Sequence, residues 1–461
     1  MAVIVLLLFV GAAARLRVAR VWVYAGSDSY GYLKLGDEWA DHGRFALGPS
    51  EPLEWYRRPL YPLLLNAVRV GTRGDTSGWA AWRRIEDAQI ALDVLATGLL
   101  VLLIARRIGG RLAGIAALTL SMLYPPTVLF SCAVLTEPIM ALLTVAMLAC
   151  LILGSRRPLV WFPIAAIFLA LASYLRPDGP VNGIAFIPAL LYVDGGRQRG
   201  VLAALSLSVF IALFAPWPIR NVIHFATPHV ADGMIDRYGH DVPHYAGFWR
   251  WLQTWARDDR PAGQLQSCFY NTKCAPTLEL VEEQGAFIAP ASNSDHERGK
   301  VEELFVLRER EGVSQRVSEG FMSLARRRRV THPWRVQISL PLRRAWQMWL
   351  APQSEVLENP AWRPWPSLSN RLLPHLRLLS LLLLAAVIAS AVALLVHRGT
   401  RTAAAILVAT IIARTVVLAW SAFCLPRYLI PIYPVCFILV GAALGLLHEK
   451  LASLLRQRAT S

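Results

Sequence analysis

The chain has 461 residues, of which 55% are hydrophobic and only 17% are charged, and its formal net charge is +16. Soluble chains carry about 25% charged residues, so this composition excludes a disordered, collagen-like or disulfide-stapled chain and indicates a protein that crosses a membrane several times. A basic excess suggests nucleic acid in a soluble protein, but in a membrane protein Lys and Arg collect on cytoplasmic loops.

Ten apolar runs are candidates for transmembrane helices, because about 20 apolar residues are needed to cross the hydrocarbon core. They cover roughly 1–20, 88–105, 112–130, 135–154, 159–175, 180–193, 201–219, 374–396, 402–422 and 429–447. The long segments between them, about 21–87 and 220–373, contain amphipathic helical patterns. We therefore predict an all-α polytopic membrane protein with about ten transmembrane helices and two large loops that carry interfacial helices.

The short connections between the runs predict the orientation of the chain. Alternate connections are basic, with Arg106, Arg107, Arg111, Arg156, Arg157, Arg197, Arg199, Arg398, Arg401, Lys450, Arg456 and Arg458. The positive-inside rule assigns these connections and both termini to the cytoplasm and both long loops to the outer face. Arg15, Arg17 and Arg20 disagree, since they would lie at the outer interface. A cleaved signal peptide over 1–14 is an alternative, which the missing basic n-region weakens.

The six cysteines divide between the spans and the large outer loop. Cys132, Cys150, Cys424 and Cys436 lie in or beside apolar runs, which is typical of packing residues. Cys268 and Cys274 flank a five-residue segment of the outer loop, where an oxidising compartment would favour a disulfide. We predict a disulfide between these two residues.

Ionisable residues at the membrane are expensive, so each is a functional candidate. They collect at the outer span ends and in the first outer loop: Asp28, Glu137, Arg176, Asp178, Arg220 and Arg427. Within the spans there are few, chiefly Asp93 and Arg414, and Arg414 is either a helix–helix tie or a snorkelling side chain. A transporter favours charges or breaks in the middle of paired spans in repeated halves, and we find no such repeat. The pattern predicts a polar site on the outer face.

The first outer loop carries the most informative chemistry. Asp28 is either a helix N-cap or a general base held above the lipid surface, and the stretch after it predicts an amphipathic interfacial helix. Arg57 and Arg58 precede a Pro-Leu-Tyr-Pro turn and an apolar helix at 60–70. Paired arginines at this position bind either lipid headgroups or a phosphate, for which the planar guanidinium is well suited.

A series of short motifs runs in order through the chain. It comprises Asp28-x-Tyr30 with a following Gly-Arg-Phe turn, Arg58-Pro59-Leu60-Tyr61-Pro62, Thr136-Glu137-Pro138, Leu175-Arg176-Pro177-Asp178, Pro216-Trp217-Pro218-Ile219-Arg220-Asn221, His332-Pro333 with Leu342-Arg343-Arg344-Ala345-Trp346, and Arg427-Tyr428-Leu429-Ile430-Pro431. The series resembles the GT-C superfamily of membrane glycosyltransferases, in the glycosyltransferase family 39-like branch with the protein O-mannosyltransferases and the aminoarabinose transferases of lipid A.

The resemblance implies roles for individual residues. Asp28 matches the catalytic base, although Ser29 stands where many relatives have a second acid. Arg58 lies where the aminoarabinose transferases carry a lysine that holds the lipid-linked phosphate, Arg220 matches the second cation on that phosphate, and Arg57 lies beside Arg58. The residues expected to shape the pocket are Tyr30, Tyr61, Glu137, Arg176, Asp178, Arg427 and Tyr428.

The resemblance also implies a reaction and an organisation of the chain. The donor would be a sugar on an undecaprenyl or related polyprenyl phosphate, and the acceptor an envelope protein, lipid or glycan at the outer face of the inner membrane. One carboxylate and two arginines suffice for an inverting single displacement. Residues 1–219 would form a transmembrane catalytic module, 220–373 a large outer region, and 374–461 the C-terminal helices with a short cytoplasmic tail.

The sequence says less about cofactors and partners than about the site residues. No glycine-rich nucleotide motif occurs at a cytoplasmic strand–helix turn, so we expect no nucleotide cofactor. Some GT-C relatives use a divalent metal and others do not, and Glu51, Glu54, His224 and His229 lack a fixed ligand spacing, so the metal requirement is left open. The run at 326–329 is predicted to be a solvated helix end near anionic headgroups, because an outer position excludes nucleic acid.

Two other functions are compatible with this pattern. A polymerase or ligase that moves a lipid-linked oligosaccharide also has a large outer loop and outer arginines, but needs no early carboxylate such as Asp28. A lipid or solute transporter would move its cargo without chemical transfer and would tolerate the loss of Asp28.

Overall fold

The computed structural model describes residues 1–21, 27–55, 57–69, 79–154, 157–225, 228, 246–256, 269, 294–351, 366–421 and 425–460. Over these residues the chain forms α-helices joined by short 3-10 and π-helical turns. The helices are α1 (Ala2–Val21), α2 (Ser27–His42), α3 (Leu60–Val68), α4 (Trp79–Ala91), α5 (Gly98–Leu123), α6 (Pro125–Ser131), α7 (Glu137–Leu153), α8 (Pro158–Leu175), α9 (Phe186–Leu191), α10 (Gly196–Phe214), α11 (Pro216–Phe225), α12 (Ala246–Leu252), α13 (Asp295–Glu311), α14 (Gln315–Thr331), α15 (Leu340–Leu350), α16 (Pro366–Val396), α17 (Arg401–Trp420) and α18 (Tyr433–Thr460).

Many of these helices can cross a membrane. In the part of the chain that the structure describes, seven stretches are long and apolar enough: Ala2–Val21, Ala80–Leu123, Pro158–Leu175, Gly196–Phe214, Arg371–Val396, Arg401–Trp420 and Pro426–Arg458. Glu137–Leu153 and Gly179–Leu191 are shorter apolar segments at two further predicted spans. The 44-residue stretch contains a break at Gly109 and Gly110, whose backbone is not helical, and covers two predicted spans. The all-α polytopic fold is confirmed, and the number of ten spans stays a prediction.

Close approach between α5 and α18 depends on glycine. A Cβ atom at Gly445 would overlap the carbonyl oxygen of Gly109, and one at Gly441 would overlap the carbonyl oxygen of Ala113. Small residues allow helix backbones to pack closely in membranes, where helix association depends on van der Waals contact rather than on the hydrophobic effect. This seam lies beside the largest apolar core, to which both helices contribute.

The first helix is held by an ion pair inside the bundle. Arg15 is fully buried, and its Nε atom donates to Asp93 Oδ2 at 2.8 Å, while Nη1 donates to the carbonyl oxygens of Gly11 and Met122. Asp93 lies in a π-helical turn, Leu92–Thr97, between α4 and α5. The sequence predicts Arg15 at the outer interface, and the structure shows that its side chain is enclosed by protein. Its charge is instead compensated by an acid that comes 78 residues later.

The large segment after α11 contributes a small helical cluster. Phe248 and Trp251 of α12 pack against Phe305 of α13 and Phe321 of α14. Arg328 of α14 and Glu297 of α13 form a buried ion pair at 2.6 Å, so the prediction of a solvated run at 326–329 is wrong for Arg328. The amphipathic helical pattern of this segment is observed here as two helices, α13 and α14.

One helical segment connects this cluster to the membrane helices. Along 334–348, every fourth residue falls on the same side of the helix. Val336, Leu340, Arg344 and Met348 form a buried series, and Trp334, Ile338, Leu342 and Trp346 form an exposed series. The buried series packs on the protein; Arg344, for example, donates to the carbonyl oxygens of Gln253 and Ala256. The exposed series, with a tryptophan at each end, is typical of an interfacial helix in contact with lipid.

The glycine seam leads to a first prediction. Replacing Gly445 with Ala should destabilise the protein by about 1–3 kcal/mol, because the added methyl group forces α5 and α18 apart. The measurement is the thermal unfolding midpoint of the purified protein in detergent. The matched control is Gly200→Ala in α10, where a Cβ atom meets nothing within 4 Å and alanine should stabilise the helix slightly. Equal effects of the two substitutions would contradict the close packing.

Candidate active site

Proline interrupts the helices at the points where the charged motifs lie. Pro138 is the second residue of α7 and leaves Glu137 at the helix start. Arg176 follows α8 in an extended conformation, which a residue before proline prefers, and Arg427 lies in a 3-10 turn that begins at Pro426. Each side chain is therefore presented by a helix end rather than by a helix face.

These ends meet at one pocket. Its polar lining is Asp28, Tyr32, Arg57, Arg58, Thr136, Glu137, Arg176, Asp178, Ser421, Arg427 and Tyr428. The structure therefore brings together eight of the predicted site residues, which span some 400 positions of the chain.

The charges in and around the pocket alternate in sign. In spatial order they are Glu54, Arg57, Asp28, Arg427, Glu137, Arg176, Asp178 and Arg414, and each consecutive pair lies within 4 Å. We call this series the charge ladder. Each of its inner members contacts two opposite charges.

Asp28 occupies the open part of the charge ladder. It lies in the first turn of α2, and its Oδ2 atom accepts a hydrogen bond from Arg427 Nη2 at 2.9 Å. The Oδ1 atom lies 3.7 Å from Arg57 Nη2, and the Asp28 side chain remains 25% exposed. A carboxylate that is fixed by two arginines and still reaches the cavity can accept a proton from a bound molecule.

Arg176 and Asp178 form the buried end of the charge ladder. Arg176 donates to Thr136 Oγ1 at 2.8 Å and to Glu137 Oε1 at 3.2 Å, and its guanidinium lies 4.7 Å from the Tyr428 ring. Burial lowers the pKa of Arg176, but the Asp178 and Glu137 carboxylates outweigh burial and raise it. Burial raises the pKa of Asp178, yet the guanidiniums of Arg176 and Arg414 outweigh burial and lower it.

Arg414 proves to be a tie between helices, one of the two readings that the sequence allowed. Its Nη2 atom donates to Asp178 Oδ2 at 2.6 Å, and its Nε atom donates to the carbonyl oxygen of Tyr428 at 3.1 Å. Arg414 in α17 thereby holds both Asp178 and the turn that presents Tyr428.

Arg58 and Arg220 share an aromatic support beside the pocket. The guanidiniums of Arg58 and Arg220 lie 5.5 and 5.0 Å from the ring centre of Trp217. Arg58 lines the pocket, whereas Arg220 lines an adjoining groove with Trp39, Phe45, Tyr174 and Trp217. The structure thus places the two predicted phosphate-binding arginines near each other, in neighbouring cavities.

Arg220 has an unbalanced charge. It donates to the carbonyl oxygen of Glu54 at 2.8 Å and to Asn221 Oδ1 at 2.7 Å, and among the described residues it has no carboxylate within ion-pair distance. Burial lowers its pKa against the opposing effect of the Glu54 carboxylate. An arginine stays charged in a protein, so a half-buried guanidinium in this groove favours an anionic ligand.

Two predicted pocket residues lie elsewhere. Tyr30 is largely exposed and packs against Trp82 at 5.9 Å. Tyr61 is buried and donates through its hydroxyl group to Gln89 Oε1, which joins α3 to α4. Both belong to the surroundings of the site and neither is among the residues that line its cavity.

Tyr32 and Thr136 also line the pocket, and no site role is predicted for either from the sequence. Tyr32 lines the pocket one helical turn after Asp28, and burial together with the Asp28 carboxylate raises its pKa, so its hydroxyl group stays protonated and can donate. The four-residue spacing from Asp28 was the signal that could have found it, because such residues share a helix face.

The structure describes some of the candidate metal ligands but neither of the cysteines predicted to form a disulfide. In the described part of the chain, no group of three His, Cys, Asp or Glu residues could hold a metal ion. Glu54, one of the sparse metal candidates, pairs with Arg57 at 3.1 Å. Cys268 and Cys274 lie outside the described residues, as does His229, so the disulfide stays a prediction.

Comparison with known proteins gives matches in structure alone. No protein-family model and no curated protein sequence matches the chain. The apo oligosaccharyltransferase of Archaeoglobus fulgidus matches with a TM-score of 0.53 and 16% identity, over 100% of this chain and 52% of its own. The same protein, AglB, in complex with an inhibitory peptide and a dolichol-phosphate gives 0.52 and 15%, over 100% and 51%.

These matches decide the fold. The chain has the GT-C fold. It spans about half the length of the archaeal oligosaccharyltransferase. The ArnT protein of Cupriavidus metallidurans bound to undecaprenyl phosphate is also similar, with a TM-score of 0.43 and 14% identity over 96% of this chain and 77% of its own.

The buried end of the charge ladder leads to a second prediction. Because the pKa of Asp178 is lowered on folding, its stabilising effect is fully present above its unfolded pKa of about 4 and is lost as the pH falls through the lower folded value. Asp178→Asn should therefore cost about 3–5 kcal/mol at pH 7, and the deficit should shrink below about pH 4. Thermal unfolding in detergent from pH 7 to pH 3 measures both effects.

The control for this prediction is Asp41→Asn, an exposed position at the end of α2. Its effect should be small at every pH. A deficit of Asp178→Asn that does not change with pH would contradict an ionised Asp178 in the folded protein.

Proposed function

We propose that the chain is a membrane glycosyltransferase that moves a sugar from a polyprenyl-phosphate-linked donor to an acceptor of the cell envelope. The observation that carries the proposal is the meeting of Asp28 and Arg58 in one pocket, with Arg220 in the adjoining groove, on a GT-C fold. The dolichol-phosphate in the AglB complex supports a lipid-phosphate donor. The acceptor, whether protein, lipid or glycan, is not specified by the site.

In the proposed reaction Asp28 is the general base. Arg427 and Arg57 fix its two oxygens, and its remaining exposure allows a hydroxyl or amine of the acceptor to reach it. The acceptor oxygen or nitrogen attacks the anomeric carbon as its proton passes to Asp28, and the bond from that carbon to the phosphate oxygen breaks. A single displacement of this kind inverts the anomeric centre, so a second, nucleophilic carboxylate is not required.

Arg58 and Arg220 would stabilise the leaving phosphate. The donor phosphodiester carries one negative charge, and a second develops as the glycosidic bond breaks. Cations placed where charge develops lower the barrier most effectively in a site that excludes water. Arg58 is almost fully buried against Phe214 and Trp217, and the unbalanced charge of Arg220 supports the same role.

The expected location is the outer face of the inner membrane. The positive-inside pattern assigns the connections that carry Glu137, Arg176 and Arg427 to the outer side, and the described structure supports a common position for these three residues at one pocket. A donor with a lipid tail explains why such a site lies at the ends of apolar helices.

A third prediction tests the base. Asp28→Asn keeps the shape of the side chain and removes its ability to accept a proton, so it should lower the transfer rate about 100- to 10,000-fold. The measurement is the release of radiolabelled sugar from a panel of polyprenyl-phosphate donors in proteoliposomes with extracted envelope acceptors. Asp41→Asn on the same helix is the matched control and should keep the wild-type rate.

The same assay separates the alternatives. Equal transfer by wild type and Asp28→Asn would remove the base and favour an oligosaccharide polymerase or ligase. Label that crosses the bilayer without leaving its carrier would favour a transporter.

A fourth prediction concerns the phosphate. Arg58→Met and Arg220→Met should each lower kcat/KM for the donor about 10- to 100-fold, since a charge-assisted hydrogen bond contributes about 1.5–3 kcal/mol and its loss in the transition state lowers kcat/KM. The acceptor KM should change little. The exposed Arg326→Met in α14 is the control, and an unchanged kcat/KM for the donor in both site variants would contradict the assignment of these arginines to the phosphate.

A further inference from the structure

A guanidinium lies between two carboxylates that line the pocket. Arg427 Nη2 donates to Asp28 Oδ2 at 2.9 Å, and Arg427 Nε lies 3.7 Å from Glu137 Oε1. Asp28 belongs to α2 and Glu137 to the start of α7, so one cation joins two separate segments. The side chain of Arg427 is itself only 9% exposed.

Two carboxylates around one cation are also an arrangement that holds a divalent ion, and some GT-C relatives use one. The residues of this pocket do not fit such an ion. Each carboxylate already contacts a second guanidinium, Arg57 beside Asp28 and Arg176 beside Glu137. A divalent ion here would have to displace Arg427 and would still lie close to two further positive charges.

We infer that Arg427 takes the place of a divalent cation between Asp28 and Glu137, and that it acts as a positioning residue that orients Asp28 without metal. The inference rests on the proposed function in so far as Asp28 is the base of the reaction. It assigns to the chain's C-terminal part a direct role in the geometry of a base that lies in the N-terminal part.

The chemistry of arginine suits this task. Its guanidinium is planar, permanently charged and able to contact carboxylates in two directions, which the single ammonium group of lysine cannot do at the same angles. Arg427 is also fixed on its own side: it belongs to a 3-10 turn that begins at Pro426, and its guanidinium lies 5.6 Å from the Tyr428 ring. An arginine held in this way keeps a constant geometry. As part of the chain it cannot be removed by a chelator, whereas a bound metal ion can.

The first test needs no substitution. Wild-type protein in detergent is titrated with Mn²⁺ and followed by electron paramagnetic resonance, and transfer is assayed with and without EDTA. We expect no stoichiometric Mn²⁺ binding and an unchanged rate after EDTA. One bound Mn²⁺ per chain that disappears in Asp28→Asn, or a loss of transfer that Mn²⁺ restores, would overturn the inference.

The second test concerns positioning. Arg427→Ala should lower kcat at least tenfold and leave the donor KM within about threefold, and Arg427→Lys should recover part of the loss. Hydrogen exchange of the backbone amides at 28–35 should become faster in Arg427→Ala and stay unchanged in the exposed control Arg326→Ala. A wild-type kcat with wild-type exchange in Arg427→Ala would overturn the inference.

The two proposals can fail separately. If no variant and no donor gives transfer, the proposed function fails, and the Mn²⁺ titration and the amide exchange still decide the inference. If transfer occurs but depends on metal, the inference fails and the proposed function stands.

Discussion

The alternation of charge along the charge ladder is the constraint on which the pocket depends. Transferring a single carboxylate or guanidinium from water into a protein interior costs several kcal/mol, and one opposite charge often does not offset that cost. Here each inner member of the ladder contacts opposite charges on two sides, from Arg57 to Asp178. The ladder links α2, the start of α7, the end of α8, α17 and the turn before α18. The charges that form the site therefore also join the helices that surround it.

Proline explains how helix ends supply three of these charges, Glu137, Arg176 and Arg427, whereas Arg414 lies on the face of α17. A side chain on the face of a transmembrane helix points to lipid or to another helix. The helix boundaries marked by Pro138, Pro177 and Pro426 instead allow a long side chain to turn inward. Irregular backbone at membrane depth is tolerated where it is buried in protein or lines a cavity. The chain places its irregular segments around the pocket, and the polar backbone there has partners such as Arg414, which bonds to the carbonyl oxygen of Tyr428.

Much of this arrangement could be predicted from the sequence, because the short motifs are local and the apolar runs fix which helix ends they occupy. Asp28, Glu137, Arg176 and Arg427 meet as their positions at the span ends implied. The pairing of Asp178 with Arg414, 236 residues apart, could not be predicted, since it depends on the angles at which the helices pack. The burial of Arg15 was missed for the same reason: a charge at the end of an apolar run fits an interface equally well until its partner is known. The Asp28-x-Tyr30 motif favoured Tyr30 as a pocket residue, whereas the helical period places Tyr32 on the same helix face as Asp28.

The charge ladder is electrically neutral, whereas the adjoining groove that Arg220 lines has a positive charge without a paired carboxylate among the described residues. The proposed reaction would use both regions. The eight ladder charges cancel, so the charge of Arg220 would be available to the phosphate of the proposed donor, and its Trp217 support is shared with Arg58. In the proposed reaction Asp28 would gain a proton and lose its negative charge as the sugar leaves, which would leave Arg57 and Arg427 in excess at the moment when the phosphate gains its second negative charge. Arg57 lines the same cavity as Arg58. Proton transfer to the proposed base would therefore make the pocket more positive as the leaving group becomes more negative, and the two changes would lower the same barrier.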